Sequence, residues 1–257
     1  MPAMPTHLFL DFFGTVVEHS ASRTSQGYER THELTTQLGS TRTYDESLAV
    51  WSAAFDRLEL ETSASLEEFS SDRVAQVALE SLLDRAPDPR EIRSSAEAYH
   101  RDWSRGICYP PEMLEVLREL SGQFTVAIVS NTHDVGLVQS HLTAMGGDPF
   151  VTAVVTSIDV GRRKPHPAIF ERALELLGVG PADVVFVGDT YGADYVGPQR
   201  CGIRAYLIDT LRSAPVPPAR RIRSLGELAG RLREQGLMAG GAARRVGPHE
   251  STAIARA

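Results

Sequence analysis

Short apolar runs recur along the chain and alternate with stretches of helical periodicity in its second half. The first run begins at Leu8, and further runs begin near residues 124, 152, 184 and 204. Their length and the turn formers that bound them are typical of strands buried in a parallel sheet. Helical patterns lie between them, near residues 111–120, 135–145, 167–177 and 225–234. This alternation predicts right-handed crossovers and an α/β core whose sheet has five parallel strands.

The stretch between the first run and Tyr109 has a different composition and pattern, because it is polar and contains no strand-like run. Apolar residues recur there at helical spacing, at Leu48, Trp51, Ala54, Phe55 and Leu58 and again at Val74, Val77, Ala78 and Leu82. Pro87 and Pro89 interrupt this pattern before another helical stretch. We therefore predict a core domain at residues 1–17 and 106–237, an inserted all-helical domain at 18–105, and a disordered tail at 238–257.

Polar residues stand where three of the predicted strands end. Asp11 closes the first strand, Ser130 the second, and Asp189 the strand near residue 184, five residues before Asp194. The carboxyl ends of strands in an open parallel sheet line one crevice, so these side chains are expected to converge. A single Asp or Ser after a strand is often only a helix cap. The prediction of an active site therefore rests on the combination of positions.

Lys164 is the only lysine in the chain, and every other side chain of permanent positive charge is arginine. Arginine is a planar fork and lysine a compact, mobile point charge, so a site that needs one cation against a phosphoryl or carboxylate oxygen cannot always exchange them. Pro165 and Pro167 are expected to set up the start of the following helix and to hold Lys164 at the rim of the crevice.

Four segments in this order resemble the four motifs of the haloacid dehalogenase-like (HAD) hydrolase superfamily. The matching segments are Asp11-Phe12-Phe13-Gly14-Thr15, Val129-Ser130-Asn131, Lys164-Pro165, and Gly188-Asp189 through Asp194. The resemblance spans about residues 6–237. It implies a Rossmann-like core with an inserted helical cap of the C1 type, which would close over the crevice and select the substrate.

The resemblance also implies catalytic roles. Asp11 would attack the substrate and form a covalent aspartyl intermediate that water later hydrolyses, which divides one difficult step into two. Ser130 would hydrogen-bond the transferring phosphoryl group, and Lys164 would neutralise charge on that group and on Asp11. Thr15 and Asn131 would belong to the substrate-binding residues.

A magnesium ion is the implied cofactor. Asp11 and Asp189 would supply carboxylate oxygens, the main-chain carbonyl of Phe13 would add another, and Asp194 would act directly or through water. Mg²⁺ prefers an octahedral shell with few protein ligands and several waters. A carboxylate cluster and a phosphate group repel each other, so the cation and Lys164 together would allow them to approach.

Phe13 departs from the pattern of the superfamily's phosphatases, which usually carry a second Asp at this position to protonate the leaving group. Phenylalanine cannot transfer a proton, and general acid-base help is typically worth about 10²- to 10⁴-fold in rate. Other acids in the chain are candidates for this role, although the sequence does not place them near the substrate. They are Glu18, His19, His133 and His166.

Three functions stay open after Phe13 is considered. The first is a Mg-dependent phosphatase that acts on a small phosphorylated metabolite, helped by a good leaving group or by another acid. The second is a 2-haloacid dehalogenase, because those relatives carry an aromatic residue here and expel halide, although their last motif has lost the acidic pair that Asp189 and Asp194 retain. The third is a catalytically impaired protein that binds a phospho-ligand. A phosphonate hydrolase would need a lysine in the cap, where this chain has none.

Composition narrows the class of partner. With 257 residues and 42% hydrophobic content, the chain can bury a sizeable core. The net charge of −7 gives no basic footprint for nucleic acid, and we expect the arginine-rich stretches at 220–223 and 231–233 on an exposed helix. No run approaches the roughly 18 apolar residues of a membrane span. The expectation is a cytoplasmic protein with a small-molecule substrate and neither nucleic-acid nor membrane partners. The oligomeric state is left open.

The chain has two cysteines, Cys108 and Cys201, which lie far apart in sequence. Such a pair predicts neither a disulfide framework nor a zinc site. We expect each to be a buried, reduced thiol.

Overall fold

The first apolar run forms strand β1 (His7–Leu10), which lies near the centre of a parallel sheet. The computed structural model describes residues 4–19, 25–238 and 255–256. Within these residues the sheet has six further strands. They are β4 (Thr125–Ser130), β5 (Ala153–Thr156), β6 (Val184–Gly188), β7 (Arg204–Ile208), β8 (Arg221–Ile222) and β9 (Ala255–Arg256). The seven strands lie in the order β8-β7-β6-β1-β4-β5-β9.

The five strands predicted from apolar runs are confirmed, and they occupy the middle of this sheet. The two further strands, β8 and β9, contain two residues each and extend its edges. A strand of two residues is too short to form an apolar run, so no sequence pattern marks it. The α/β class with a parallel sheet therefore stands, and the sheet is wider than the five predicted strands.

Strand β1 pairs with β4 on one side and with β6 on the other. Leu8, Phe9 and Leu10 are completely buried, as expected for a central strand that is covered on both faces. The chain runs outward from β1 through β4 to β5, and then crosses to β6 and β7 on the opposite side. This reversal of strand order opens a crevice at the carboxyl end of β1, where ligands bind in open α/β sheets.

Helices connect the strands of the core. They are α5 (Met113–Ser121), α6 (Leu137–Met145), α7 (Ser157–Val160), α8 (Pro167–Leu177), a π-helix (Tyr191–Val196), α9 (Gly197–Arg200) and α10 (Leu228–Glu234). Helix α8 matches its predicted bounds. Pro167 stands at its first turn, and Gly178 ends it with φ of 61°, a left-handed conformation that glycine adopts without strain.

The stretch 220–223 is not the exposed helix that was expected. Pro218–Arg220 forms a 3₁₀ turn, and Arg221–Ile222 is strand β8. Pro217 and Pro218 lack amide donors, which disfavours a helix that would run through them. Arg220 and Arg221 are partly buried.

The chain divides into two compact units, Met1–Glu18 with Tyr109–Ala257, and His19–Cys108. The second unit contains α1 (Glu29–Gln37), α2 (Tyr44–Glu61), α3 (Ser71–Leu82) and α4 (Pro89–Ser104). Two short strands, β2 (Glu18–His19) and β3 (Ile107–Cys108), form a separate two-stranded sheet. Trp51, Leu58 and Val74 belong to the core of the helical unit.

Helix α1 begins without a capping side chain of its own, because its N-cap residue is Tyr28. Asp102, on α4, supplies the missing acceptor. Its Oδ2 accepts hydrogen bonds from the Thr31 amide at 2.9 Å and from the Thr31 hydroxyl at 2.8 Å. Asp102 is completely buried. One carboxylate thus satisfies an orphan donor at the start of a helix and joins α1 to α4.

The two cysteines differ in exposure. Cys201 is partly buried, but Cys108 is exposed and is not the buried thiol that was expected. Cys108 lies in the two-residue strand β3. Both thiols are free.

Of the tail predicted at 238–257, the structure describes Met238 and the two residues of β9, which pairs with β5. The rest of that tail lies outside the described residues. In the described part of the chain, no helix has both the length and the apolar character that a membrane crossing requires.

Replacing Asp102 by alanine is expected to lower the free energy of unfolding by about 1–3 kcal/mol, because the buried Thr31 amide loses its acceptor. Urea unfolding followed by far-ultraviolet circular dichroism measures this change. The matched control is Glu97→Ala on the same helix, where the side chain is 57% exposed and pairs with Arg101. That control should change the free energy by less than about 0.5 kcal/mol. Equal effects of the two substitutions would contradict the capping role of Asp102.

Candidate active site

Asp11 follows β1 directly and is held at the end of the sheet by its main chain. Its amide donates to the Val187 carbonyl at 2.9 Å, which continues the pairing of β1 with β6 by one residue. The next residues turn sharply, since the carbonyl of Phe12 accepts from the amides of Val16 and Val17 at 2.9 and 3.0 Å. The Asp11 side chain, 6% exposed, therefore lies in the crevice at the carboxyl end of the strands.

Gly14 is required in this turn for two reasons. Its φ of +87° lies in the left-handed region that side chains rarely adopt. In addition, a Cβ atom at this position would lie 2.1 Å from Oδ2 of Asp189. The turn after β1 therefore lies so close to the Asp189 carboxylate that this carboxylate would have to move to admit a side chain here.

Two hydroxyl groups contact the Asp11 carboxylate. Ser130, the last residue of β4 and 1% exposed, donates from Oγ to Asp11 Oδ1 at 3.2 Å. Thr15 Oγ1 donates to Asp11 Oδ2 across a longer distance of 3.5 Å. The sequence prediction that Asp11 and Ser130 meet despite their separation along the chain is thus matched by this contact.

Lys164 provides the central interaction of the site. Its Nζ donates to Oδ1 of Asp11 at 2.6 Å and to Oδ1 of Asp194 at 2.7 Å. The side chain is almost fully buried, and its ammonium lies 5.4 Å from the centre of the Phe186 ring. Burial disfavours the ammonium, yet Asp11 and Asp194 outweigh that effect and raise the pKa of Lys164. The lysine is therefore a fixed positive charge in the crevice.

Asn131 holds the main chain of Lys164 with both ends of its amide. The Asn131 Oδ1 accepts from the Lys164 amide at 2.8 Å, and the Asn131 Nδ2 donates to the Lys164 carbonyl at 3.2 Å. The peptide bond that joins Lys164 to Pro165 is cis. In this structure Asn131 orients the lysine, and its part in substrate binding stays a prediction.

Asp194 lies in the π-helix that follows β6 and is 1% exposed. Its Oδ2 accepts from the Thr190 amide at 2.9 Å. A Cβ atom on Gly188 would lie 2.4 Å from Cγ of Asp194, so this packing also requires glycine. Burial raises the pKa of Asp194 and the nearby Asp11 raises it further, against the opposing effects of Lys164 and the Thr190 amide. The net effect is a carboxylate whose charged form is disfavoured chiefly by burial.

Asp11, Asp189 and Asp194 can each direct one carboxylate oxygen to a common point, since these oxygens lie within 4.8 Å of one another. Oxygen donors of this kind are those that Mg²⁺ prefers. Three carboxylates against one ammonium leave a deficit of positive charge, which a divalent cation would offset. The donor set and its charge therefore fit the predicted ion.

Phe13 stands beside this cluster, partly exposed, in the position where the second Asp was sought. Its ring meets the His141 ring edge to face, with the ring centres 6.3 Å apart. His141 Nδ1 lies 2.8 Å from the Tyr109 hydroxyl, and burial lowers the pKa of His141. Sequence reasoning missed this pair, because His141 lies within α6 in no motif. The proximity of Tyr109 and His141 arises only from packing.

Four residues are candidates from the sequence for the missing general acid, and their positions do not point to that role. His166 Nδ1 accepts from the Ala168 amide at 3.2 Å and so caps helix α8. Glu18 and His19 are exposed, and His133 is partly exposed. These positions do not single out any of the four residues as the missing acid.

The family model for haloacid dehalogenase-like hydrolases matches residues 5–202. The chain belongs to this family. The match includes the four motif segments, from Asp11 to Asp194. In this HAD-like hydrolase the motif side chains meet at the carboxyl edge of the sheet.

Sequence relatives of this HAD-like hydrolase include phosphatases. Pyrophosphatase PpaX from Bacillus cereus is 40% identical over 129 residues, which are 48% of this chain and 57% of that protein. The chain spans between about a third and three fifths of the length of the first curated relatives that it matches. These relatives support a hydrolase and leave the substrate open.

Solved structures show the same fold. A 2-haloacid dehalogenase from Pseudomonas syringae pv. Tomato DC3000 superposes with a TM-score of 0.65 at 21% identity, over 90% of this chain and 100% of that one. The HAD hydrolase YfnB from Bacillus subtilis, bound to magnesium, gives 0.58 at 20% identity, over 89% and 98%. At such identities the likeness concerns the fold and does not choose between the two chemistries.

Gly188→Ala is expected to destabilise this HAD-like hydrolase by about 1–3 kcal/mol, the usual effect of overpacking a filled site. The new methyl group would meet Asp194, which is fixed by Lys164 and by the Thr190 amide. Urea unfolding measures the loss. Gly192→Ala serves as the control, because a Cβ atom there has no neighbour within 4 Å. A Gly188→Ala protein as stable as this control would show that Asp194 is not held as described.

Proposed function

We propose that this HAD-like hydrolase is a Mg-dependent phosphatase that acts on a small phosphorylated metabolite through an aspartyl-phosphate at Asp11. The observation that carries the proposal is the buried cluster in which Lys164 bridges Asp11 and Asp194, with Asp189 beside them. This combination of a nucleophile, a fixed cation and two further carboxylates fits phosphoryl transfer. Halide displacement has no use for the additional carboxylates.

Charge explains why the cluster needs a cofactor. Asp11, Asp189 and Asp194 outnumber the single ammonium of Lys164, so a phosphate group would be repelled from the bare site. A bound Mg²⁺ would supply positive charge and polarise the phosphoryl oxygens. The three carboxylates and the main-chain carbonyl of Phe13 are the residues that would hold it.

The side chains of the cluster then divide the reaction into two steps. An oxygen of Asp11 forms a bond to phosphorus while the bond from phosphorus to the leaving oxygen breaks, and the leaving group departs with the electron pair. Lys164 and Ser130, already directed at the Asp11 carboxylate, stabilise charge on the transferring group. Water then attacks phosphorus and loses a proton to the solvent while the bond between phosphorus and the Asp11 oxygen breaks, which releases inorganic phosphate and restores the carboxylate of Asp11.

Phe13 restricts the substrates that can react in this way. An alkyl phosphate must expel a strongly basic alkoxide unless an acid protonates it, and Phe13 supplies no proton. An acyl phosphate, an aryl phosphate or a phosphoanhydride expels a weaker base. The 40% identity with a pyrophosphatase, whose leaving group is itself a phosphate, agrees with this restriction. The proposed substrates are therefore small phosphate compounds with good leaving groups.

Dehalogenation of 2-haloacids is the second candidate, and Phe13 is the observation that favours it. In that reaction Asp11 would displace halide from carbon, and water would hydrolyse the resulting ester. Halide leaves without a proton, so Phe13 is no obstacle. The retained carboxylates of Asp189 and Asp194 place this candidate second.

The purified enzyme is expected to hydrolyse p-nitrophenyl phosphate in the presence of Mg²⁺ and to lose this activity in EDTA. The phenolate leaving group needs little protonation, so the reaction tolerates Phe13. Asp11→Asn should abolish turnover, because the amide cannot act as the nucleophile, and should leave the circular dichroism spectrum unchanged. Release of p-nitrophenolate is followed by its absorbance.

Activity near that of the unchanged enzyme in Asp11→Asn would remove Asp11 from the nucleophilic role. Absence of phosphatase activity, together with halide release from 2-chloropropionate that does not require Mg²⁺, would establish the dehalogenase instead. Absence of both activities, with a phosphate compound still bound, would support a protein that binds phospho-ligands without turnover.

Phe13→Asp is expected to raise kcat/KM for an alkyl phosphate such as glycerol 3-phosphate by about 10²- to 10⁴-fold, since it introduces a proton donor next to the nucleophile. The rate with p-nitrophenyl phosphate should rise much less. Phe13→Asn is the matched control, because it has nearly the same shape as Asp and cannot donate a carboxyl proton. Equal gains in the two variants would show that the size of Phe13, rather than proton transfer, limits the reaction.

A further inference from the structure

A cavity separate from the active-site crevice lies in the core unit, at the opposite end of the strands from Asp11. Its volume is about 490 Å³, within the range of small-molecule sites. Pro181 and Ala182, which precede β6, and Arg204, the first residue of β7, line it. The cavity is therefore at the amino ends of the strands, whereas the candidate active site is at their carboxyl ends.

Two arginines line this cavity, and neither has an acidic partner among the residues that the structure describes. Arg204 and Arg220 are both partly buried. Within the described residues neither forms an ion pair, whereas the neighbouring Arg221 pairs with Asp209 at 3.0 Å. The Nη1 atoms of Arg204 and Arg220 are buried and have no hydrogen-bond partner in the described part of the chain. Partly desolvated cations without a counter-charge are unfavourable, and an anion between them would relieve that cost.

Arg220 is held in place before any ligand arrives. Its guanidinium lies over the Tyr206 ring, 5.0 Å from the ring centre, and this cation–π contact restrains the position of the charge. Tyr206 is itself fully buried, and its hydroxyl donates to Gln235 at 2.6 Å. Burial raises the pKa of Tyr206, while the charges of Arg220 and Arg204 oppose that rise. Both guanidinium charges therefore act on the same small region.

We propose that this cavity binds a small organic anion through a phosphate or carboxylate group recognised by Arg204 and Arg220. The guanidinium fork matches the paired oxygens of either group. The side chains of Pro181, Ala182 and Ile203 give part of the cavity an apolar lining, which suits a short carbon skeleton on the same ligand. The site is separate from the proposed catalytic cluster and does not depend on the reaction assigned to it.

Calorimetric titration of the full chain with propyl phosphate and, separately, with butyrate tests the proposal. EDTA is present throughout, so that no metal helps an anion to bind at Asp11, Asp189 and Asp194. At least one of the two anions is expected to bind, and Arg204→Gln and Arg220→Gln should each weaken that binding about tenfold or more, the usual loss when a hydrogen bond to a charged group is removed. The stronger ligand identifies the anionic group.

Two controls locate the binding. Arg200→Gln removes the same charge from an exposed residue nearby that does not line the cavity, and should change the affinity less than threefold. Ser130→Ala alters the catalytic cluster and should leave the affinity unchanged. Binding of neither anion, or binding weakened by Ser130→Ala and not by Arg204→Gln, would overturn the proposal. Circular dichroism checks each fold, and Arg204→Gln decides alone if the loss of stacking on Tyr206 unfolds Arg220→Gln.

Discussion

The two short contacts of the Lys164 ammonium, with Asp11 and with Asp194, are the constraint on which the carboxyl edge of the sheet depends. They join residues that follow β1 and β6 to a loop before α8. An ammonium buried in this way is stable only between carboxylates, and each carboxylate is stable only beside the ammonium. The surrounding main chain is arranged to preserve these distances. Asn131 clamps the lysine, and glycine is required at Gly14 and Gly188 because the neighbouring carboxylates leave no room for a side chain.

Sequence patterns predicted the central sheet and the members of the cluster, because both follow from local signals. Buried parallel strands are continuous apolar runs, and their ends mark Asp11, Ser130 and Asp189. Helix α1 was not predicted, since Glu29–Gln37 is polar and is held by Asp102, which lies far along the chain. The contact between Phe13 and His141 was equally hidden, because it depends on how a helix packs rather than on any motif.

Two groups of charged side chains lie at opposite ends of the sheet, and the net charge of the sequence does not reveal them. The net charge of −7 suggests an acidic molecule throughout. In the folded core, carboxylates gather at one end around Lys164, while Arg204 and Arg220 face a cavity at the other. Local potential depends on which charges lack partners, and not on the sum. Without a metal ion, the carboxylates at one end of the strands would repel an anion, whereas Arg204 and Arg220 at the other end would attract one.

The central position of β1 has a consequence for how the chain is made. His7 pairs with Thr125 of β4 and with Val184 of β6. Strand β1 therefore emerges from the ribosome long before either of these partner strands has been made. Pairs so distant in sequence close slowly, because the intervening chain must first be ordered. The helical unit His19–Cys108 is contiguous, so all of its residues are made before the first partner of β1 is added. Until those partners are made, the apolar residues of β1 stay unpaired, and exposed surface of this kind makes incomplete chains prone to aggregate.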